Sequence, residues 1–274
     1  MPTHNKNKSD VLESTGTDYR HVKRTPSDFA RRQLIALAGL VTLLSLYACS
    51  GERYTPLMNA ARNGDTDAVR TMLDLGTGIN EKTSRGKTAL MLAAAGGFTE
   101  TVRLLIERGA DIDAQDNYGT TAIIVAATGG KAETAKLLVD NGADPTLKDS
   151  SGGSALGNAT FFGHVETVKS LLDTIPDLPK YDGEELLMLA SGLGNVEIAR
   201  HLLEKGVSPN ARGVKNRTAL MAAVAFNKIE VVKLLLNYSA DTELLDDDDL
   251  TALQVALNKN NEEIAALLQK KDKH

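Results

Sequence analysis

Residues 86–115, GKTALMLAAAGGFTETVRLLIERGADIDAQ, hold one complete copy of a unit that the chain repeats from residue 55 onward. With Ala93 as a phase mark, counterparts stand at Ala60, Ala126, Ala159, Ala190, Ala223 and Ala256, giving spacings of 33, 33, 33, 31, 33 and 33 residues. Five residues before the marks come Thr55, Thr88, Thr121, Ser154, Glu185, Thr218 and Thr251. Three before them come Leu57, Leu90, Ile123, Leu156, Leu187, Leu220 and Leu253. Four after stand Gly64, Gly97, Gly130, Gly163, Gly194, Asn227 and Asn260, and seven after every copy carries an acid, from Asp67 and Glu100 to Glu263. A fixed period of this length marks an array of one supersecondary unit.

The unit can be read from backbone chemistry. A Thr or Ser oxygen satisfies a free amide of a helix's first turn, and Pro56 suits the first helical position, so an inner helix is expected to start near each Thr. Gly or Asn four after the mark suits a left-handed helix exit, which stops that helix after about ten residues. The recurrent acid then falls in the first turn of an outer helix, where it complements the dipole. The leucine pairs at 104–105, 137–138 and 234–235 supply its buried face. Gly109, Gly142 and Gly206 end the outer helix, and a polar finger leads to the next unit.

On these residues, namely the period, TPLMNAA at 55–61, TALMLAA at 88–94 and RGAD at 108–111, the chain resembles the ankyrin repeats. The resemblance implies an all-α solenoid of about seven helix-turn-helix repeats, spanning 55–270 with a polar tail at 271–274. Two departures are visible. Met58, Met91, Met188 and Met221 replace the family's His, and the stretch DTIPDLPKYDG (173–183) is two residues short, so the finger between the fourth and fifth copies is expected to be irregular.

Ahead of the array, residues 1–30 are polar and cannot form a core. Arg31 and Arg32 then precede an uncharged apolar run, LIALAGLVTLLSLYA (34–48), that ends at Cys49, the chain's single cysteine. The run is shorter than the roughly 20 residues a spanning helix needs, which favours a removed export signal covering 1–48. Leu46-Tyr47-Ala48-Cys49 resembles the lipobox of bacterial lipoproteins. That implies a lipidated (palmitate-bearing) Cys49, a short tether over 49–54, and a periplasmic position on the outer membrane, since Ser50 follows the cysteine.

Without the leader the chain has 24 Lys/Arg against 32 Asp/Glu, a charge of −8 that argues against nucleic acid as a partner. His164, His201 and His274 have no metal-ligand spacing, and no nucleophilic cysteine remains after acylation, so neither catalytic residues, metal nor cofactor is expected. His164 reads as structural and His201 as partly packed. The acids Asp246, Asp247, Asp248 and Asp249 could bind calcium, but they read better as a solvated finger tip.

Six of the eight aromatic residues after Cys49 fall at positions that the ankyrin resemblance makes solvent-facing. Phe161, Phe162 and Phe226 sit at inner-helix ends, and Tyr54, Tyr118 and Tyr181 sit on fingers. With Leu193 as an extension and Arg62, Arg85 and Lys87 as a basic rim, they form the expected partner-binding surface. The resulting expectation is a non-catalytic protein-interaction scaffold of the cell envelope. An immunity or inhibitor protein acting on one toxin or enzyme, and a structural or stress-protective support for an envelope enzyme, are the alternatives.

Overall fold

A computed structural model describes residues 52–174 and 180–271. The export-signal, Cys49 and tail-tip expectations lie outside these residues. The described chain forms seven helix pairs: α1 (Pro56–Asn63) with α2 (Thr66–Asp74), α3 (Ala89–Gly96) with α4 (Thr99–Glu107), α5 (Ala122–Thr128) with α6 (Ala132–Asp140), and α7 (Ala155–Phe161) with α8 (Val165–Thr174). The last three are α9 (Lys180–Leu193) with α10 (Val196–Glu204), α11 (Ala219–Ala225) with α12 (Ile229–Asn237), and α13 (Ala252–Asn258) with α14 (Glu262–Lys271). Inner helices pack on inner helices of adjacent pairs, and outer on outer, as in a solenoid.

Each inner helix starts where its hydroxyl stands. Thr55, Thr88, Thr121, Ser154, Thr218 and Thr251 accept from the backbone amides of Met58, Met91, Ile124, Gly157, Met221 and Gln254. The Gln254 side chain completes a capping box on Thr251. Copy five differs. Because its finger is two residues short, α9 begins at Lys180, so Glu185 lies inside the helix instead of at its entrance.

The phase marks are small because they stand in the most crowded position. Ala93, Ala126, Ala159, Ala190, Ala223 and Ala256 are fully buried, and apolar residues three positions earlier, such as Leu57, Leu90, Ile123 and Leu220, join them in one continuous core. Above the core, threonine hydroxyls link successive repeats: Thr66 Oγ1 lies 2.8 Å from Thr101 Oγ1, and Thr99 Oγ1 lies 3.0 Å from Thr134 Oγ1. The next rung is missing. Ala132 stands where Thr66 and Thr99 stand, and the buried Thr167 hydroxyl is left with no hydrogen-bond partner.

All seven residues at the inner-helix exits have positive φ, including Asn227 and Asn260. At most of the glycines a second constraint acts. The residue that follows the exit in the next repeat leans onto the glycine: Phe98 onto Gly64, Lys131 onto Gly97, His164 onto Gly130 and Lys228 onto Gly194. A methyl group at any of these positions would overlap that side chain. At Asn227 the neighbour is Asn261, whose side-chain Nδ2 donates to the side-chain Oδ1 of Asn227, so a hydrogen bond replaces the close approach.

The fingers form a ladder of backbone hydrogen bonds. Asn117 N donates to Arg85 O at 2.9 Å, Ser150 N to Tyr118 O at 2.8 Å, and Asp247 N to Lys215 O at 3.1 Å. Where a fourth finger would continue the ladder, the chain is already helical in α9, and Met188 packs against Gly213 of the following finger.

Replacing Gly109, which has positive φ and open space around it, with Ala should cost about 1 kcal/mol, the expense of left-handed backbone for an L-residue. Gly64→Ala should cost about 2–4 kcal/mol, because the Phe98 ring must also be displaced. Urea midpoints of the two variants measure the difference; equal losses would refute the packing role.

Candidate functional site

The inner-helix exits and the fingers carry most of the polar and aromatic side chains that the core does not use. At the exit of α7, Phe161 and Phe162 meet edge to face with ring centroids 5.1 Å apart, and Phe162 stacks on His164 at 6.1 Å. Phe161 is half-buried, whereas Phe162 is 39% and Phe226 is 48% exposed. Phe226, two repeats further on, lies against Gly192, next to half-buried Leu193. The structure therefore brings Phe161 and Phe162 together directly and sets Leu193 and Phe226 at the matching exits of the next two repeats.

His164 is held from below. Its Nε2 lies 3.0 Å from the Thr128 carbonyl, and its ring covers Gly130, which makes it a repeat-to-repeat link. Asn195 has the same task one unit on, donating to the Thr160 carbonyl at 2.9 Å. Each ties a helix-end carbonyl to the next repeat, and the Thr160 carbonyl accepts from Gly163 N as well. His201 is half-buried, as expected, with Nδ1 3.6 Å from Glu204 and Nε2 3.9 Å from Asp173.

The tyrosines divide. Tyr118 is exposed on its finger. Tyr54 is half-buried: its hydroxyl donates to Glu52 Oε2 at 3.1 Å, and the Arg62 guanidinium lies 5.4 Å from its ring centre. Tyr181 falls within α9, but its side chain lies outside the described residues.

Lys87 does not belong to a surface rim. It is only 6% exposed, with Nζ 4.0 Å from Glu52 Oε2, and the Glu52 side chain is itself buried. The correction has a physical cause: Glu52, which precedes the first repeat, folds onto the first finger and draws the lysine in. Arg85, half-buried, offers Glu52 its backbone N–H, and Arg62 remains exposed. Burial raises the Glu52 pKa, but hydrogen bonds from Thr83 and Tyr54 and the Lys87 charge outweigh it, so the group is held below its ordinary value.

The acidic run is likewise not uniformly solvated. Asp246 is buried; its Oδ1 accepts from the amides of Asp248 and Leu250, and its Oδ2 lies 3.3 Å from Arg217 Nε. Asp116 and Asp149 bind the same two amides in their own fingers. Asp246 is thus a turn-former, while Asp247, Asp248 and Asp249 are exposed. The clue in the sequence is the recurrence of Asp at a matching place in three fingers.

Sequence reasoning also passed over the exit lysines. Lys131 and Lys228 lay their aliphatic stems on Gly97 and Gly194, and Lys259 is exposed at the exit of α13 beside an open notch lined by Ala225, Asn227, Asn261 and Glu262.

Comparison with known proteins places this architecture. The family model described as "Ankyrin repeats (3 copies)" matches residues 34–116, 57–149, 124–213 and 187–274. The chain is similar to an ankyrin repeat-containing protein of Treponema pallidum, 35% identical over 82 residues that make up 30% of this chain and 28% of that one. It is also similar to the E3 ubiquitin-protein ligase Ufd4 of Drosophila melanogaster, 36% identical over 90 residues, 32% of this chain but only 3% of that protein's length. Among solved structures, the human ASB11 ankyrin repeat domain superposes with a TM-score of 0.68 at 28% identity, covering 78% of this chain and 98% of that one. The ankyrin repeat domain of Bcl-3 gives 0.68 at 26% identity, covering 77% and 97%.

The Glu52 cluster makes a pH-dependent prediction. Since folding lowers the Glu52 pKa, its stabilising contribution is complete above the ordinary value of 4.5 and is lost as pH falls through the lower folded-state value. Glu52→Gln should unfold at lower urea than wild type at neutral pH, and the gap should close towards about pH 3. A gap independent of pH would show that the charge is immaterial.

Proposed function

Since this chain belongs to the ankyrin-repeat family, a non-catalytic protein-interaction module, we propose that it is a scaffold of the bacterial cell envelope that captures one protein partner on its inner-helix exits. The observation that carries this reading is the exposure of Phe162 and Phe226 on the exits of the fourth and sixth repeats of a stack whose buried core is aliphatic. Solvent-facing aromatic rings are favoured interface anchors because they bury a large area at small entropic cost. Phe161 supports Phe162 from the side, Leu193 continues the row, and Tyr118, Arg62 and Arg85 extend it along fingers and inner helices.

In this proposal the chain is exported, its leader 1–48 is removed, and Cys49 carries the lipid. Several acyl chains at about 0.8 kcal/mol per buried methylene hold it to the membrane. Only five residues separate Cys49 from Thr55, so the tether spans at most about 17 Å and the array stays near the bilayer. The segments it shares with the Treponema pallidum protein and with Ufd4 are repeat units alone, so ligase activity forms no part of this reading.

Two outcomes test the reading. Phe161→Ala/Phe162→Ala/Phe226→Ala should leave the thermal midpoint within a few degrees of wild type and abolish co-purification of the partner after mild detergent extraction; a large stability loss with the partner retained would make the rings core. Cys49→Ser should move the protein from the membrane to the soluble fraction and remove the acyl mass, whereas membrane retention would overturn the anchor. A captured enzyme whose activity falls on binding would turn the scaffold into an inhibitor.

A further inference from the structure

The exits of repeats three to seven form one edge, joined by contacts already described. His164 touches Gly130 and Phe162, Asn195 bonds to the Thr160 carbonyl, Phe226 covers Gly192, Lys228 covers Gly194, and Asn261 bonds to Asn227. The charge of this edge opposes that of the chain. None of residues 127–131, 160–164, 191–195, 224–228 and 257–261 is acidic, although the whole chain has a net charge of −5. Lys131, Lys228 and Lys259 stand there, and among the described residues they form no ion pair. On the outer helices, by contrast, Arg103, Lys169, Arg200 and Lys233 each pair with a glutamate three residues earlier. The stems of Lys131 and Lys228 are fixed on glycines, so their ammonium groups are held beside the apolar row at little further cost in side-chain entropy. One carboxylate, Glu262, borders the notch at the far end.

We propose that this edge docks an extended, acidic protein segment with apolar anchors. Its carboxylates meet Lys131, Lys228 and Lys259, and its apolar side chains lie against Phe162, Leu193 and Phe226. The proposal rests on the reading of the exits as the partner surface and adds the chemistry of what they bind. Complementary charge on one edge of an otherwise acidic molecule confines attraction to that edge and repels the same partner elsewhere, so it fixes the binding orientation.

The test uses the full chain in neutral detergent and a fluorescein-labelled peptide of repeated Asp-Glu-Phe triplets, with a Lys-Arg-Phe peptide as control, followed by anisotropy. The acidic peptide should bind, weaken as NaCl is raised, and lose affinity about tenfold in Lys131→Gln/Lys228→Gln/Lys259→Gln, while Lys169→Gln/Arg200→Gln/Lys233→Gln binds as wild type. Circular dichroism verifies folding, and Lys259→Gln alone, at an exposed site, serves if the triple change unfolds the stack. Failure to bind, equal binding of the basic peptide, or full affinity in the edge variant overturns the proposal. So does equal competition by phosphatidylglycerol added as mixed micelles in the same detergent, or by single-stranded oligothymidylate. Loss of binding in the three-Phe variant with none in the lysine variant would keep the aromatic surface and remove the acidic partner; the reverse result would do the opposite.

Discussion

Everything in this molecule depends on each repeat burying its flank against the next. A seven- or eight-residue inner helix is too short to be stable alone, so its order comes from the neighbouring pair. The contact is closest at the left-handed exit, where a side chain of one repeat rests on the backbone of the one before. Glycine is demanded there twice, by the sign of φ and by the ring or lysine stem lying on it. At Asn227 φ is still positive, but the close approach is relieved and an amide-to-amide bond from Asn261 takes its place.

The same exits display whatever the core has no room for. Because the marks and their flanking leucines are sealed, variation is tolerated only at the helix ends and fingers, and this is where the phenylalanines and lysines collect. Rigid placement follows from the packing itself: His164 and Lys228 are fixed by the preceding repeat, so a ligand meeting this edge encounters side chains already in position.

Local chemistry was legible in the chain before any coordinates. Hydroxyl caps, glycine exits and first-turn acids each act within a few residues, so their spacing alone located the helices and six of the seven inner starts. The misreadings were non-local. Lys87 looked exposed because its partner, Glu52, lies one repeat away and outside the pattern. Asp246 looked solvated because the amides it binds are made available only by the turn it closes. Glu185 sat in a cap position by count, but the loss of two residues converted its finger into helix. For the partner surface, the sequence named the rings without revealing which would touch, and it hid the lysine row, since a stem resting on glycine leaves no mark in composition.

The seam between the fourth and fifth repeats has a kinetic meaning. There the finger ladder stops, and the buried hydroxyls of Thr160 and Ser191 on the two facing inner helices lack hydrogen-bond partners. In a stack coupled only through nearest neighbours, order nucleated on one side spreads until it meets the weakest boundary. In this array such a front would meet that boundary here, between the first four repeats and the last three.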